Sequence, residues 1–389
     1  MAVIARIEDY ADELTTIRHD IHAHPEIGFE EVRTSGLVAD KLADWGIEVH
    51  RGIGKTGVVG VIQGAKGPGR SIGLRADMDA LPMEEMTNLP YRSTVPGRFH
   101  GCGHDAHTTM LLGAARYLAE TRDFPGKVVL IFQPAEEGLG GARAMLADKL
   151  FERFPCDEVY GLHNVPQLDF GMVAVTPGRM MAGADFFDIR ITGRGAHGAA
   201  PQMSRDPIII GASLVQALQT ILSRNLKPTD AAVLSVTKFN AGTAYNVIPN
   251  EAEIGGTIRM FTQAARDLIH QRMREICAGT AATFGVDINV EFRAIFEILE
   301  NDEKLTFDVA DVAREVVGED KLFVNNEIRM ESEDFAEMLR AVPGSYFNLG
   351  HGTGVALHNP GYTFDDAALP IGASMLARIA ERRLAGDAI

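Results

Sequence analysis

Cysteine is scarce: Cys102, Cys156 and Cys277 are the three in 389 residues, too few and too scattered for a disulfide framework. That scarcity predicts a reducing compartment. Basic residues are outnumbered, 37 against 53 acidic. The resulting formal net charge of −16 excludes the basic surface that a nucleic-acid backbone demands. No apolar run approaches the length of a membrane span. Residues 1–10 hold no uninterrupted apolar stretch of the kind a secretory signal needs. The chain is therefore expected to be soluble and cytoplasmic, with neither nucleic acid nor a membrane as partner. Internal repeats and low-complexity segments are also absent, which sets aside repeat arrays.

What is present is ordinary globular material. Hydrophobic residues make up 46% and charged residues 23%, enough for a real core in two or three domains. Val3, Ile7, Tyr10, Leu14, Ile17 and Ile21 recur at helical spacing. From residue 58 to about 182, short apolar runs (58–62, 72–74, 128–132 and 159–162) alternate with helical segments such as 105–120. That alternation predicts an α/β layer built on a largely parallel sheet. Near Asp185 the period changes. Phe187, Ile189 and Ile191 alternate with Asp188, Arg190 and Thr192, and 251–260 and 286–293 repeat the habit. A strict period of two means one buried and one wet face, as in an antiparallel sheet. Asp206-Pro207 opens one helix between these strands, and 263–284 reads as another. The succession strand–helix–strand–strand–helix–strand predicts a small ferredoxin-like domain. Signals of the first kind resume at 305–317, 346–349 and from about Asp366. The expected fold class is thus α/β, a mixed, mostly parallel sheet with helices on both faces, plus an inserted ferredoxin-like α+β domain. The expected boundaries are 1–182 and 297–389 for a discontinuous main domain and 183–296 for the insert.

Ligands of open α/β sheets gather beyond the carboxyl ends of the strands. Three predicted strands end on candidate chemistry: Asp77-Met-Asp79, Pro134-Ala135-Glu136-Glu137, and His163-Asn164. Gly101-Cys102-Gly103-His104-Asp105 adds a thiol and an imidazole at a helix start, and Leu357-His358-Asn359-Pro360 follows a glycine-rich loop. Each piece has a plainer reading. A lone histidine is more often structural than a ligand, and paired glutamates are usually a solvated face. Cys102-x-His104 lacks the paired spacing of a structural zinc site, and Cys102 alone reads as a small buried hydrophobe. The weight lies in several strand ends converging on one rim. Two lures fail. Gly54-Lys55-Thr56 ends like a P-loop, but Val49 stands where the first glycine belongs. Gly52-x-Gly54-x-x-Gly57 imitates a dinucleotide fingerprint, yet a strand and not a helix follows it.

An ordered set of motifs carries a resemblance. Arg18-x-x-x-His22-x-His24-Pro-Glu-x-Gly-Phe-Glu, Arg75-Ala-Asp-Met-Asp-Ala-Leu-Pro82, His100-Gly-Cys-Gly-His-Asp-Ala-His107 and Phe132-Gln-Pro-Ala-Glu-Glu-Gly138 come first. Gly161-Leu-His163, Gly195-Ala-His-Gly-Ala-Ala-Pro201, Tyr245-Asn-Val-Ile-Pro249 and Gly256-Thr-Ile-Arg259 follow, then Ser332-Glu-Asp-Phe335 and Leu357-His-Asn-Pro360. The chain resembles the aminoacylase, hippurate hydrolase and auxin-conjugate hydrolase branch of the dinuclear metallopeptidase–amidohydrolase family, over almost its whole length. The resemblance implies that Cys102, His104, Glu137, His163 and His358 hold two divalent metal ions, and that Glu136 is the general base. It implies that His197 reaches an active site, that of the partner subunit of a homodimer, and that Asn246 and Arg259 contact substrate. The main domain would be catalytic and the insert a lid and dimerisation domain. His22, His24 and His107 resemble scaffold histidines. Glu331 departs from the pattern, which has a small residue before the Ser-Glu-Asp-Phe motif.

The implied reaction is cleavage of the amide bond of an N-acyl amino acid, N-acetyl, N-benzoyl or similar, to a carboxylic acid and a free amino acid. Two divalent cations would make hydroxide available near neutrality. Glu136 would move the water proton to the leaving nitrogen, His197 would donate to the oxyanion, and Arg259 would pair with the substrate carboxylate. Arg259 also reads as a plain solvent-facing strand residue. Mixed sulfur, nitrogen and oxygen ligation suits zinc, manganese, nickel or cobalt. Two alternatives stand beside this reading: a dipeptidase or N-acetyl-diaminopimelate deacetylase on the same metals, and a non-catalytic metal-dependent binding protein.

Overall fold

The apolar runs become strands with both faces covered. A computed structural model of the chain describes residues 2–325 and 327–386. Six strands come first: β1 (Glu48–Ile53), β2 (Gly57–Gln63), β3 (Ser71–Asp77), β4 (Lys127–Gln133), β5 (Glu158–Val165) and β6 (Val173–Val175). Four longer ones follow, β7 (Gly183–Thr192), β8 (Ala232–Ala241), β9 (Glu251–Met260) and β10 (Asp287–Phe296), then β11 (Leu322–Val324) and β12 (Gly344–Gly350). The longer helices are α1 (Ala11–Ala23), α2 (Val32–Asp44), α3 (His104–Thr121), α4 (Pro207–Arg224), α5 (Gln263–Phe284), α6 (Glu303–Val316) and α7 (Leu369–Ala385). Among the described residues no helix is long and apolar enough to cross a membrane.

Within these residues the chain divides into two units: Met1–Met180 with Glu300–Glu327 and Asp334–Ile389, and Met181–Leu299 with Ile328–Glu333. In the first, eight strands form one sheet in the order β1-β2-β4-β3-β5-β12-β6-β11. The central strands β4, β3, β5 and β12 run parallel, while β1, β2 and β6 join antiparallel. Alternation explains why the central strands read as unbroken apolar runs. Ile72, Leu74, Ala76, Val128, Leu130 and Phe132 enter the core that α1, α3, α6 and α7 share. Their intervening neighbours Val129 and Ile131 are buried as well, facing the other side, where the short helices Gly141–Ala147 and Phe335–Ala341 pack. The false dinucleotide fingerprint is the β1–β2 turn, where Gly52, Gly54 and Lys55 take left-handed φ values of 77°, 63° and 78°.

In the second unit β8-β9-β7-β10 form an antiparallel sheet. With α4 between β7 and β8 and α5 between β9 and β10, the succession is βαββαβ, as in ferredoxin-like domains. Asp206 caps α4 through the Ile208 amide with Pro207 in first position, and Thr262 caps α5 through Ala265. Phe187, Ile189 and Ile191 pack against Ile210, Leu214 and Leu218 of α4 and Ile269 and Met273 of α5. The other sheet face carries charge, with Arg190 paired to Glu251 and Arg293 to Asp188. The return of Ile328–Glu333 to this unit has no counterpart in the strand and helix periodicities.

Candidate metal centre and active site

The candidate chemistry of the first unit gathers at the carboxyl ends of the parallel strands β3, β4 and β5, with His163 and Asn164 within the last residues of β5, the rim on which ligands of open α/β sheets bind. After β4 the chain turns through Ala135, a non-glycine residue at φ 55°. Such backbone persists only where its surroundings fix it. Here buried Glu31 accepts the Ala135 amide at 2.8 Å and the Thr56 hydroxyl at 2.6 Å. The turn presents Glu136 and Glu137, whose backbone amides both donate to Asp79, at 3.0 Å each. Asp79 also lies 3.2 Å from His104 Nδ1. One buried carboxylate thus ties the ends of β3 and β4 to the start of α3.

The loop before α3 is fixed with equal care. Gly103 has φ 86°, and a Cβ there would meet Asn164 Nδ2 at 2.3 Å, so only glycine fits. Asn164 donates to the Cys102 carbonyl at 2.7 Å and accepts from the Tyr362 hydroxyl at 2.7 Å. His107 is engaged on both nitrogens, by Asp77 at 2.7 Å and by the Asn164 amide at 3.0 Å. His22 likewise faces Asp105 at 2.8 Å and Glu85 at 3.4 Å. His24 Nδ1 accompanies the Asp20 carbonyl at 2.8 Å.

Against this scaffold, five of the residues singled out in the sequence bring donor atoms together. The donors of Cys102, His104 and His163 lie within 4.8 Å of one another, as do those of Cys102, Glu137 and His358. The two groups share Cys102. The Cys102 Sγ to His163 Nε2 distance is 3.5 Å, and His358 Nε2 to Glu137 Oε1 is 3.3 Å. Glu136 joins His104 and Glu137 in a third group. His358 reaches in from a backbone at φ 59°, a second non-glycine residue in left-handed conformation at this centre.

The donor set fits two divalent cations on several counts. His104 Nε2 is buried without a hydrogen-bond partner, a costly state for a polar atom. His104 and His163 each commit Nδ1 elsewhere, to Asp79 and to the Asn164 carbonyl at 2.7 Å, and turn Nε2 to the centre as metal-binding histidines do. Electrostatics agree. Hydrogen bonds with Cys102 and Glu137 push His358 up to about 10. Burial opposes protonation of His104, but Asp77 and Cys102 hold it well above its usual range. Burial and then Glu137 push the Cys102 thiol up. Anionic donors crowded this closely draw positive charge to themselves.

A second buried network reaches Glu136. Arg75 bonds Asp77 at 2.8 Å, Gln133 at 2.9 Å and Asp334 at 3.1 Å. Asp334 also accepts from Gln133 Nε2 at 2.7 Å and from the Ala142 amide at 2.9 Å. Its own amide donates to Glu136 Oε1 at 3.4 Å. Sequence reasoning marked Asp77, Asp79, Asn164 and the Ser-Glu-Asp-Phe motif without giving Asp79, Asn164 or Asp334 a task, and passed over Glu31. The signal for Asp79 was its position at a strand end; Glu31 gave none.

The remaining candidates belong to the second unit. His197 and Asn246 are brought together by a short ribbon in which Ala196–His197 pairs with Val247–Ile248. Gly198 donates to the Asn246 carbonyl at 2.8 Å, and His197 Nδ1 accepts from the Ala199 amide at 3.1 Å. His197 is exposed. Arg259 stands apart from this ribbon, half-buried on β9, with Nη1 donating to Ser332 Oγ at 2.6 Å.

Comparison with known proteins agrees with this arrangement. Residues 73–382 match the sequence profile of the peptidase family M20/M25/M40. Hippurate hydrolase of Campylobacter jejuni is 44% identical over 99% of this chain and 100% of its own length. N-acetyl-L-cysteine deacetylase of Bacillus subtilis is 40% identical over 96% of this chain and 88% of its own. A solved Bacillus subtilis protein described as a dinuclear metal binding peptidase of the M20 family superposes with a TM-score of 0.85. It is 33% identical and covers 97% of this chain and 99% of its own.

Proposed function

We propose, because this chain belongs to the peptidase family M20/M25/M40, that it hydrolyses the amide bond of N-acyl amino acids to a carboxylic acid and a free amino acid. The observation that carries the reading is the pair of donor groups sharing Cys102, with buried Glu136 beside them. Cys102, His104, Glu137, His163 and His358 would hold two divalent cations, zinc, manganese, nickel or cobalt by donor type. Bound there, they would lower the pKa of a water toward neutrality and polarise the amide carbonyl.

Glu136 is the general base. Water adds to the carbonyl carbon as Glu136 takes its proton; the C–N bond then breaks as Glu136 returns the proton to the departing nitrogen. Asp79 accepts the Glu136 backbone amide and the Asp334 amide donates to the Glu136 carboxylate, which together limit its wandering. His197 donates a hydrogen bond to the oxyanion. Arg259 pairs with the substrate carboxylate and Asn246 contacts the substrate beside it. The support for Arg259 is that, among the described residues, its guanidinium has a hydroxyl partner and no carboxylate within ion-pair distance. The protein acts as a cytoplasmic homodimer, a reading supported by three free cysteines and by an exposed His197 on the edge of the 181–299 unit, which serves as lid and dimerisation domain.

The test is hydrolysis of N-benzoylglycine, N-acetyl-L-cysteine and N-acetyl-L-methionine by protein reconstituted with each metal in turn. Metal-dependent release of free amino acid from at least one is expected. Turnover of unblocked dipeptides alone, or no turnover with both metals bound, rejects the proposal.

A further inference from the structure

Arg259 has a charged neighbour that amide hydrolysis itself does not require. The side chain of Glu331 is exposed, yet its charge acts on the Arg259 guanidinium: burial draws that group below its ordinary value, and Glu331 opposes the shift without reversing it. The two do not close an ion pair. Arg259 Nη1 is taken by the hydroxyl of Ser332, the next residue along, at 2.6 Å. The segment bearing Glu331 is fastened and does not swing freely. The Ala182 amide donates to the carbonyls of both Arg329 and Glu331 at 3.0 Å, and Met181 bridges Arg329 in parallel fashion. The backbone that carries Glu331 is therefore fixed next to the residue that bonds the arginine, and its exposed carboxylate is left open to a third party.

We propose that Glu331 is a specificity-determining residue that favours N-acyl amino acids with a cationic side chain and rejects those with an anionic one. The inference rests on the reading of Arg259 as the group that takes the substrate carboxylate. A substrate so held carries its side chain on the carbon next to that carboxylate, within a few ångströms of the guanidinium. A lysine-like side chain completes a pair that the protein leaves open. A glutamate-like side chain meets Glu331 with the nearby arginine already engaged, and such an uncompensated like charge is a repulsive element against the wrong substrate. For partly exposed charges at these separations the effect is on the order of tenfold in each direction.

The test compares kcat/KM of the metal-loaded protein for Nα-acetyl-L-lysine, N-acetyl-L-norleucine and N-acetyl-L-glutamate, before and after Glu331→Gln. The wild type is expected to favour lysine over norleucine and norleucine over glutamate, about tenfold at each step, and E331Q to draw the three together. No charge order in the wild type, or an order that survives E331Q, overturns the proposal. The Arg259 reading is scored separately with N-acetyl-L-norleucine and its C-terminal amide. Wild type is expected to prefer the free carboxylate and Arg259→Gln to lose that preference. If R259Q keeps it, the role of Arg259 falls and the proposal with it; if R259Q loses it while E331Q changes nothing, Glu331 alone is wrong.

Discussion

The Asp79 carboxylate lies 3.2 Å from His104 Nδ1 while it accepts the backbone amides of Glu136 and Glu137. It touches no donor atom at the centre, yet it orients one imidazole and two carboxylates. Outer-shell partners of this kind are worth 10–100-fold in metal affinity or activity. Asp79→Asn keeps the shape and removes the charge. It is expected to weaken metal binding roughly 10–100-fold, read by competition with a chelating dye. Unchanged affinity would make Asp79 a bystander.

Glu136 and Glu137 adjoin in sequence, and the proposed mechanism gives them different roles. Glu136→Gln is expected to retain full metal content and to lose roughly 10²–10⁴ in kcat, whereas Glu137→Gln loses metal first. Elemental analysis beside steady-state kinetics separates them. Metal loss in proportion to activity in E136Q would show Glu136 to be a ligand.

If His197 serves the partner subunit, two dead variants can rescue each other. Glu136→Ala and His197→Ala proteins, unfolded together and refolded as a mixture, form mixed dimers in about half of the pairings. One site in each mixed dimer is whole, giving roughly a quarter of wild-type activity. Mixed dimers confirmed by mass with no activity would place His197 in its own subunit's chemistry or outside it.

The scaffold histidine His22 gives a pH signature. Burial opposes its protonation, but hydrogen bonds to Asp105 and Glu85 win and push it up to about 8, above about 6.5 for the unfolded chain. The folded state therefore binds this proton more tightly. The stabilisation is complete below about pH 6.5 and disappears as pH rises through 8, on the order of 2 kcal/mol in all. Urea unfolding at pH 6 and pH 9 is expected to show that loss in the wild type and not in His22→Gln. An equal loss in both proteins would assign it to other groups.

Much of this architecture could be read from period alone. The central strands announce themselves because both faces are buried, so Val128 to Phe132 are apolar without a break. The second unit announces itself because one face is wet and Ile189 and Ile191 alternate with Arg190. The return of Ile328–Glu333 was illegible, since its backbone bonds to Ala182 are far apart in sequence and leave no period. The five polar residues gathered around Cys102 were legible as strand ends and motifs. Their support was not. Glu31 and Asn164 act through side-chain bonds to the Ala135 amide and the Cys102 carbonyl, and a single polar residue in a sequence does not say which distant backbone it will hold.

The central claim is that two cations gathered around Cys102 make the amide bond breakable. Metal-free protein titrated with zinc, manganese or cobalt, with bound metal counted at each step and N-benzoylglycine or N-acetyl-L-methionine hydrolysis measured alongside, tests it most directly. Activity is predicted to be absent without metal and to level off at two ions per chain, with Cys102→Ala failing to reach that count. Full activity in demonstrably metal-free protein, or saturation with no dependence on Cys102, would contradict the account.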